Sequence, residues 1–154
     1  MTRGERVIAF IERHCPVPEG AKVGQPIKLA DFQRRFILAI YDAPRNVRRA
    51  YLAIARKNGK SALIACIMLA HLVGPEARVN AQIVSGARSR EQAAVVFELA
   101  RKMVELSDTL RRLVRVVPSG KRLIGIGPNT EYRALSAESS TAHGLSPMLA
   151  ILDE

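Results

Sequence analysis

Residues 50–75 constrain the architecture most. The apolar run Tyr51-Leu52-Ala53-Ile54 is flanked by basic residues. The polar turn Arg56-Lys57-Asn58-Gly59 follows, and from Lys60 the chain is apolar nearly all round until Gly74-Pro75. A short apolar run bounded by turn residues predicts a buried strand over 50–55. A stretch without a polar face predicts a helix over 60–73, enclosed on all sides in a sheet protein. Gly74-Pro75 stops that helix.

Helical spacing of Val7, Ile8, Phe10 and Ile11 predicts an amphipathic helix over 3–14. Pro16, Pro18, Gly20, Gly24 and Pro26 mark a loop. Phe32, Phe36, Ile37 and Ile40 share one face of a second helix over 31–41. A strand is expected over 80–85. Ser89 and Gln92 have capping-box spacing, ahead of a helix to about residue 106 with Val95, Val96, Leu99, Met103 and Leu106 as its stripe. A short arginine-rich helix over 109–114 follows. Strands are expected near 115–117, 123–126 and 131–135, and a buried one over 148–152 after a polar loop. Strands alternating with helices point to an α/β fold around a largely parallel sheet. With 154 residues and 48% hydrophobic content, the chain fits one domain with a sizeable core.

The turn carries the chemistry. Gly59 permits a backbone conformation closed to side chains, so that N–H groups can face phosphate oxygens. Lys60 brings a point charge to terminal phosphates. The Ser61 hydroxyl suits Mg²⁺, and a helix N-terminus favours anions. The general phosphate-loop pattern has another Gly five residues before Gly59, where this chain has Ile54. The plain structural alternative is a helix start with an exposed lysine. The second motif is Met148-Leu149-Ala150-Ile151-Leu152-Asp153-Glu154, an apolar strand delivering two acids to a sheet edge. Asp153 would hold Mg²⁺ and Glu154 would activate water. Its plain alternative is a strand ending in two solvated acids.

Charge speaks to partners. Lys and Arg number 24 against 14 acidic residues, a formal net charge of +10. This favours a polyanion, with nucleic acid before an anionic membrane surface. The densest basic stretch is Arg111, Arg112, Arg115, Lys121 and Arg122, which reads either as a DNA-phosphate contact or as a solvated face. With 5% aromatic residues and no Trp, a stacking platform for single strands is not expected. Cys15 and Cys66 read as free thiols of a reducing compartment, and no zinc-ligand spacing is present. The N-terminus lacks the apolar stretch of a signal peptide, and the apolar run 62–70 is too short to span a bilayer. A cytosolic protein is expected.

Taken together, Ala55-Arg56-Lys57-Asn58-Gly59-Lys60-Ser61 resembles the divergent Walker A of phage terminase large subunits, in which the early Gly is replaced and basic residues precede Gly-Lys-Ser. Leu29-Ala30-Asp31-Phe32-Gln33 resembles that family's adenine-binding segment. Gln92-Ala93, and Gly144-Leu145-Ser146-Pro147 ahead of Ile151-Leu152-Asp153-Glu154, are similar as well. The resemblance implies a P-loop NTPase with a mainly parallel sheet flanked by helices, incomplete at its C-terminal end. Residues 1–48 would form an N-terminal helical segment with the adenine motif, and 49–154 the core through Walker B, with the nuclease domain absent. It implies ATP and Mg²⁺ as ligands, with Gln33 on the base and Arg56, Lys57, Asn58, Gly59, Lys60 and Ser61 on the phosphates. Ser61 and Asp153 would serve the metal, and Glu154, Lys60 and Arg56 the catalysis. Partners implied are double-stranded DNA, a portal, a small terminase subunit and further copies in a ring, in the host cytoplasm and without a membrane. The loop before Walker B holds His143 and no Arg, so no arginine finger is assigned. The strand expected between 50–55 and 148–152 is missing, which would leave unpaired edges. Two other readings stay open: an inert fragment that binds nucleotide or DNA, and another P-loop motor such as a helicase.

Overall fold

A computed structural model describes residues 1–54, 59–136 and 146–152. The helices are α1 (Arg3–His14), α2 (Asp31–Tyr41), α3 (Lys60–Leu72), α4 (Arg90–Leu106) and α5 (Asp108–Leu113). The strands are β1 (Gln82–Ala87), β2 (Val114–Val117), β3 (Arg122–Gly125), β4 (Thr130–Ser136) and β5 (Leu149–Leu152). They form one sheet in the order β2-β3-β4-β1-β5. The centre is parallel: β1 pairs with β4 from Gln82↔Glu131 to Ala87↔Ser136, and with β5 from Ile83↔Leu149 to Gly86↔Leu152. β2 and β3 extend it as antiparallel strands beyond β4.

Local chemistry sets the helix starts. Thr2 caps α1 reciprocally with Glu5: the Glu5 N–H donates to Thr2 Oγ1 at 3.1 Å, and the Thr2 N–H donates to Glu5 Oε2 at 3.0 Å. Ser89 accepts the Gln92 N–H at 3.2 Å and opens α4. α3 is buried from Ala65 to Leu72 and sits in the core with Val7, Ile11, Ile37, Ile83, Phe97 and Met103. The α4 stripe is rotated from expectation: Phe97 and Val104 are buried, whereas Leu106 is 46% exposed. The cause is α5, which turns back at Ser107 and packs its buried Leu110 beneath the helix end.

One expected element does not form. Residues 50–54 join no ladder; Tyr51 is 84% exposed while Leu52 packs against the core. A strand is made by its neighbour's hydrogen bonds as much as by its own sequence, and among the described residues no strand lies beside this segment. The outer edge of β5 is likewise unpaired among them.

β3 approaches α3 closely. A Cβ on Gly125 would lie 2.6 Å from the Leu72 carbonyl oxygen and would collide with Thr130 Oγ1, so glycine is required there. The Thr130 hydroxyl donates to that same carbonyl at 2.5 Å, closing the end of α3.

A polar cluster joins α1, α2 and α3. Burial, opposed by Glu76 and aided by Arg3 and Arg78, lowers His71 to about 4. The folded chain therefore keeps His71 neutral while the unfolded chain protonates near pH 6.5. This contribution is complete above about pH 6.5 and declines as pH falls toward 4. It should remove about 2 kcal/mol of stability between pH 7 and pH 5. Urea denaturation of the parent and of His71→Leu at both pH values tests this: the parent should lose that much more than the variant, and parallel losses would count against it.

Candidate active site

The hydrogen bond from Thr130 to Leu72 places the end of α3 at the edge where β4 begins, and α3 packs across β1, β4 and β5. Thr130 begins β4 and Leu72 ends α3. The helix thus runs opposite to the parallel strands, and its first turn sits at the edge where β1 and β5 end. In open α/β sheets this carboxyl edge is where ligands bind. Gly59, Lys60 and Ser61 lie there, on the edge toward which Leu152 points the chain.

Gly59 is the N-cap of α3, at φ 75° and ψ 19°, and no side chain caps the helix. In this left-handed conformation any other residue would be strained. Most helices start on Ser, Thr, Asp or Asn; this one presents a bare glycine turn. Lys60 and Ser61 follow in the first turn, both half-buried.

Gln33 faces that turn. A Cβ placed on Gly59 would meet Gln33 Nε2 at 3.6 Å. Gln33 lies in the first turn of α2, and its Oε1 accepts the Ala30 N–H at 2.9 Å. That bond orients the amide, leaving Nε2 toward Gly59 and a second lone pair on Oε1. α1 holds this end of α2 through Glu12, which accepts the Leu29 N–H at 3.0 Å and pairs with Arg34 at 3.0 Å. Sequence reasoning did not single out Glu12. Its partners lie 17 and 22 residues away, and no local pattern reveals such a contact.

Arg56, Lys57, Asn58, Asp153 and Glu154 lie outside the described residues, as does His143. Of the basic residues read as DNA contacts, Arg111 is paired with Asp108, Lys121 with Glu98 at 3.7 Å, and Arg122 with Glu131 at 3.5 Å. Arg112 and Arg115 are exposed on α5 and β2. The stretch is therefore partly neutralised by its own neighbours. The thiols of Cys15 and Cys66 are free and buried; they are neighbours in the core, and the hydrogen bond with Cys15, together with burial, pushes Cys66 well up. Among the described residues, no helix is long and apolar enough to cross a membrane.

A helix opening on a left-handed glycine at the carboxyl edge of a parallel sheet, with Lys and Ser in its first turn, defines a P-loop NTPase fold. A family model described as "Terminase large subunit, ATPase domain" matches residues 31–154. The chain is 67% identical, over its whole length, to the terminase large subunit of Enterobacteria phage HK97, and spans 31% of that protein. The crystal structure of the HK97 bacteriophage large terminase superposes with a TM-score of 0.92 at 66% identity, covering 100% of this chain and 31% of that one. The chain belongs to the terminase large subunit ATPase domain family.

Proposed function

We propose that the chain is the ATP-hydrolysing part of a terminase large subunit, driving double-stranded DNA into procapsids. The observation that carries this is the meeting of Gln33 with the Gly59–Ser61 turn at one sheet edge. The two are 26 positions apart in sequence, and together they offer a base reader beside a phosphate cradle.

In this reading the Gln33 amide, with one donor and one free lone pair, faces the donor–acceptor edge of adenine. Backbone N–H groups at the α3 start and the Lys60 ammonium balance the phosphate charge. Arg56 and Lys57 act near the γ-phosphate. Mg²⁺ typically keeps one or two protein oxygens plus phosphates, and the Ser61 hydroxyl, at the helix start, suits it together with Asp153. When bound, it neutralises developing charge on the phosphates. Glu154 takes the proton of the attacking water as its oxygen bonds to the γ-phosphorus, and the bond to the β–γ bridging oxygen breaks to release ADP. The net charge of +10 and family membership support a DNA partner. A portal, a small terminase subunit, a ring of copies and the host cytoplasm complete the reading.

Competition binding of ATP and GTP tests the base reader. Gln33→Ala should weaken ATP about 10-fold and GTP hardly at all, as for loss of a specific amide pair. Equal affinities for the two nucleotides in the parent would remove Gln33 from that role. Among the described residues the outer edge of β5 and the 50–54 segment have no strand partner, which favours a second reading for the isolated chain, in which it binds nucleotide without hydrolysing it. Robust turnover by the 154-residue chain would sink that second reading.

A further inference from the structure

The proposed chemistry makes no use of the polar cluster at the far end of α3. Tyr41 Oη lies 2.7 Å from His71 Nε2, and both residues are buried. His71 Nδ1 has no hydrogen-bond partner among the described residues. A buried polar atom left unpartnered costs about 1–3 kcal/mol, and a leucine at this helical position would avoid that cost. Burial alone therefore does not explain an imidazole here, whereas its directional contact with Tyr41 does. Arg3 braces the pair from α1: its guanidinium lies 5.4 Å from the Tyr41 ring centroid and is held by both Glu76 oxygens at 2.6 to 3.1 Å.

The placement of the pair matters more than its strength. Tyr41 is the last residue of α2, and His71 lies in the last turn of α3. Gln33 is in the first turn of α2, beside the glycine that opens α3. The two helices therefore meet at both ends. At the near end, Gln33 Nε2 stands within reach of a Cβ that Gly59 lacks. The far contact is a directional hydrogen bond. A helix transmits rotation as a rod, and Gln33 and Tyr41 stand about 12 Å apart along it. Any turn of α2 about its axis that breaks the Tyr41 bond swings the Gln33 amide by the same angle. Glu12 holds the segment leading into α2, and Thr2 and Gly4 hold Asp42 at its exit, so α1 anchors both ends of the helix while the Tyr41–His71 bond ties its exit to α3.

We propose that the Tyr41–His71 hydrogen bond is a positioning device that sets the rotation of α2 on α3 and thereby aims Gln33 at the adenine of the bound nucleotide. This rests on the nucleotide reading above. Tyr41 and His71 touch no ligand; they act through Gln33. The device should therefore govern recognition of the base and leave phosphate binding alone.

Binding of Mg-ATP and of inorganic tripolyphosphate by the parent, by Tyr41→Phe and by the double variant Tyr41→Phe/His71→Leu tests this. ATP should bind about 5-fold more weakly to both variants, with tripolyphosphate unchanged. The double variant removes both polar partners, which restores stability toward the parent's without restoring the bond. Two results overturn the proposal: ATP affinity unchanged in both variants, or equal losses for ATP and tripolyphosphate, which mark general loosening of the fold. A parent that binds tripolyphosphate as tightly as ATP overturns the adenine reading itself, and the positioning role with it.

Discussion

Glu154→Gln is expected to reduce ATP turnover at least about 100-fold while leaving nucleotide affinity within about twofold. Gln matches Glu in shape and keeps a carbonyl oxygen, so it can still hold a water in place. It cannot accept that water's proton at neutral pH, so the step that depends on a base is lost. In the proposed reading, binding rests on the α3 turn and Gln33, which the substitution leaves unchanged. Turnover should be measured in a full-length subunit, with fluorescent-nucleotide binding measured alongside. Persisting turnover would remove Glu154 from the reaction. Loss of both turnover and binding would make it a structural residue.

Lys60→Ala should impair binding itself, with nucleotide affinity falling at least about 30-fold. Lys60 is in the first turn of α3, and that helix start has no capping side chain to compete for anions. Removing its ammonium leaves phosphate charges balanced only by backbone N–H groups and nearby basic residues. Lys60→Arg should not restore affinity, because a planar fork does not replace a point charge on a flexible stem. Titration of Mg-ATP against the three chains decides this; an alanine variant that binds as the parent does would dismiss the phosphate cradle.

Much of the architecture is readable from local pattern, and the exceptions share a cause. α1 and α2 follow their apolar faces and α3 its unbroken apolar run, and Thr2, Ser89 and Gly59 each mark a helix start that needs only neighbouring residues. The segment 50–54 has the composition of a strand but joins none, because a ladder depends on a neighbouring strand and none lies beside it among the described residues. In α4, Val104 is buried and Leu106 exposed near the end where α5 packs on the helix, a contact that local pattern does not announce. In the candidate site, Gly59, Lys60 and Ser61 are legible from a glycine turn ahead of an apolar helix. Gln33 is legible only through family resemblance, since nothing in residues 29–33 announces that it meets Gly59. Tyr41 and His71 are 30 positions apart, and their bond is invisible without the fold. The basic stretch shows both limits: the Arg111 pairing with Asp108 follows from helical spacing, whereas Lys121 with Glu98 requires the tertiary structure.

The central claim is that one nucleotide spans the start of α2 and the start of α3. Hydrogen exchange of backbone amides with and without ligand tests it most directly. Mg-ATP should protect both the 30–36 and 59–63 segments, and inorganic tripolyphosphate should protect only the second. Protection by ATP that spares the first turn of α3, or that leaves the start of α2 as open as tripolyphosphate does, would contradict the account.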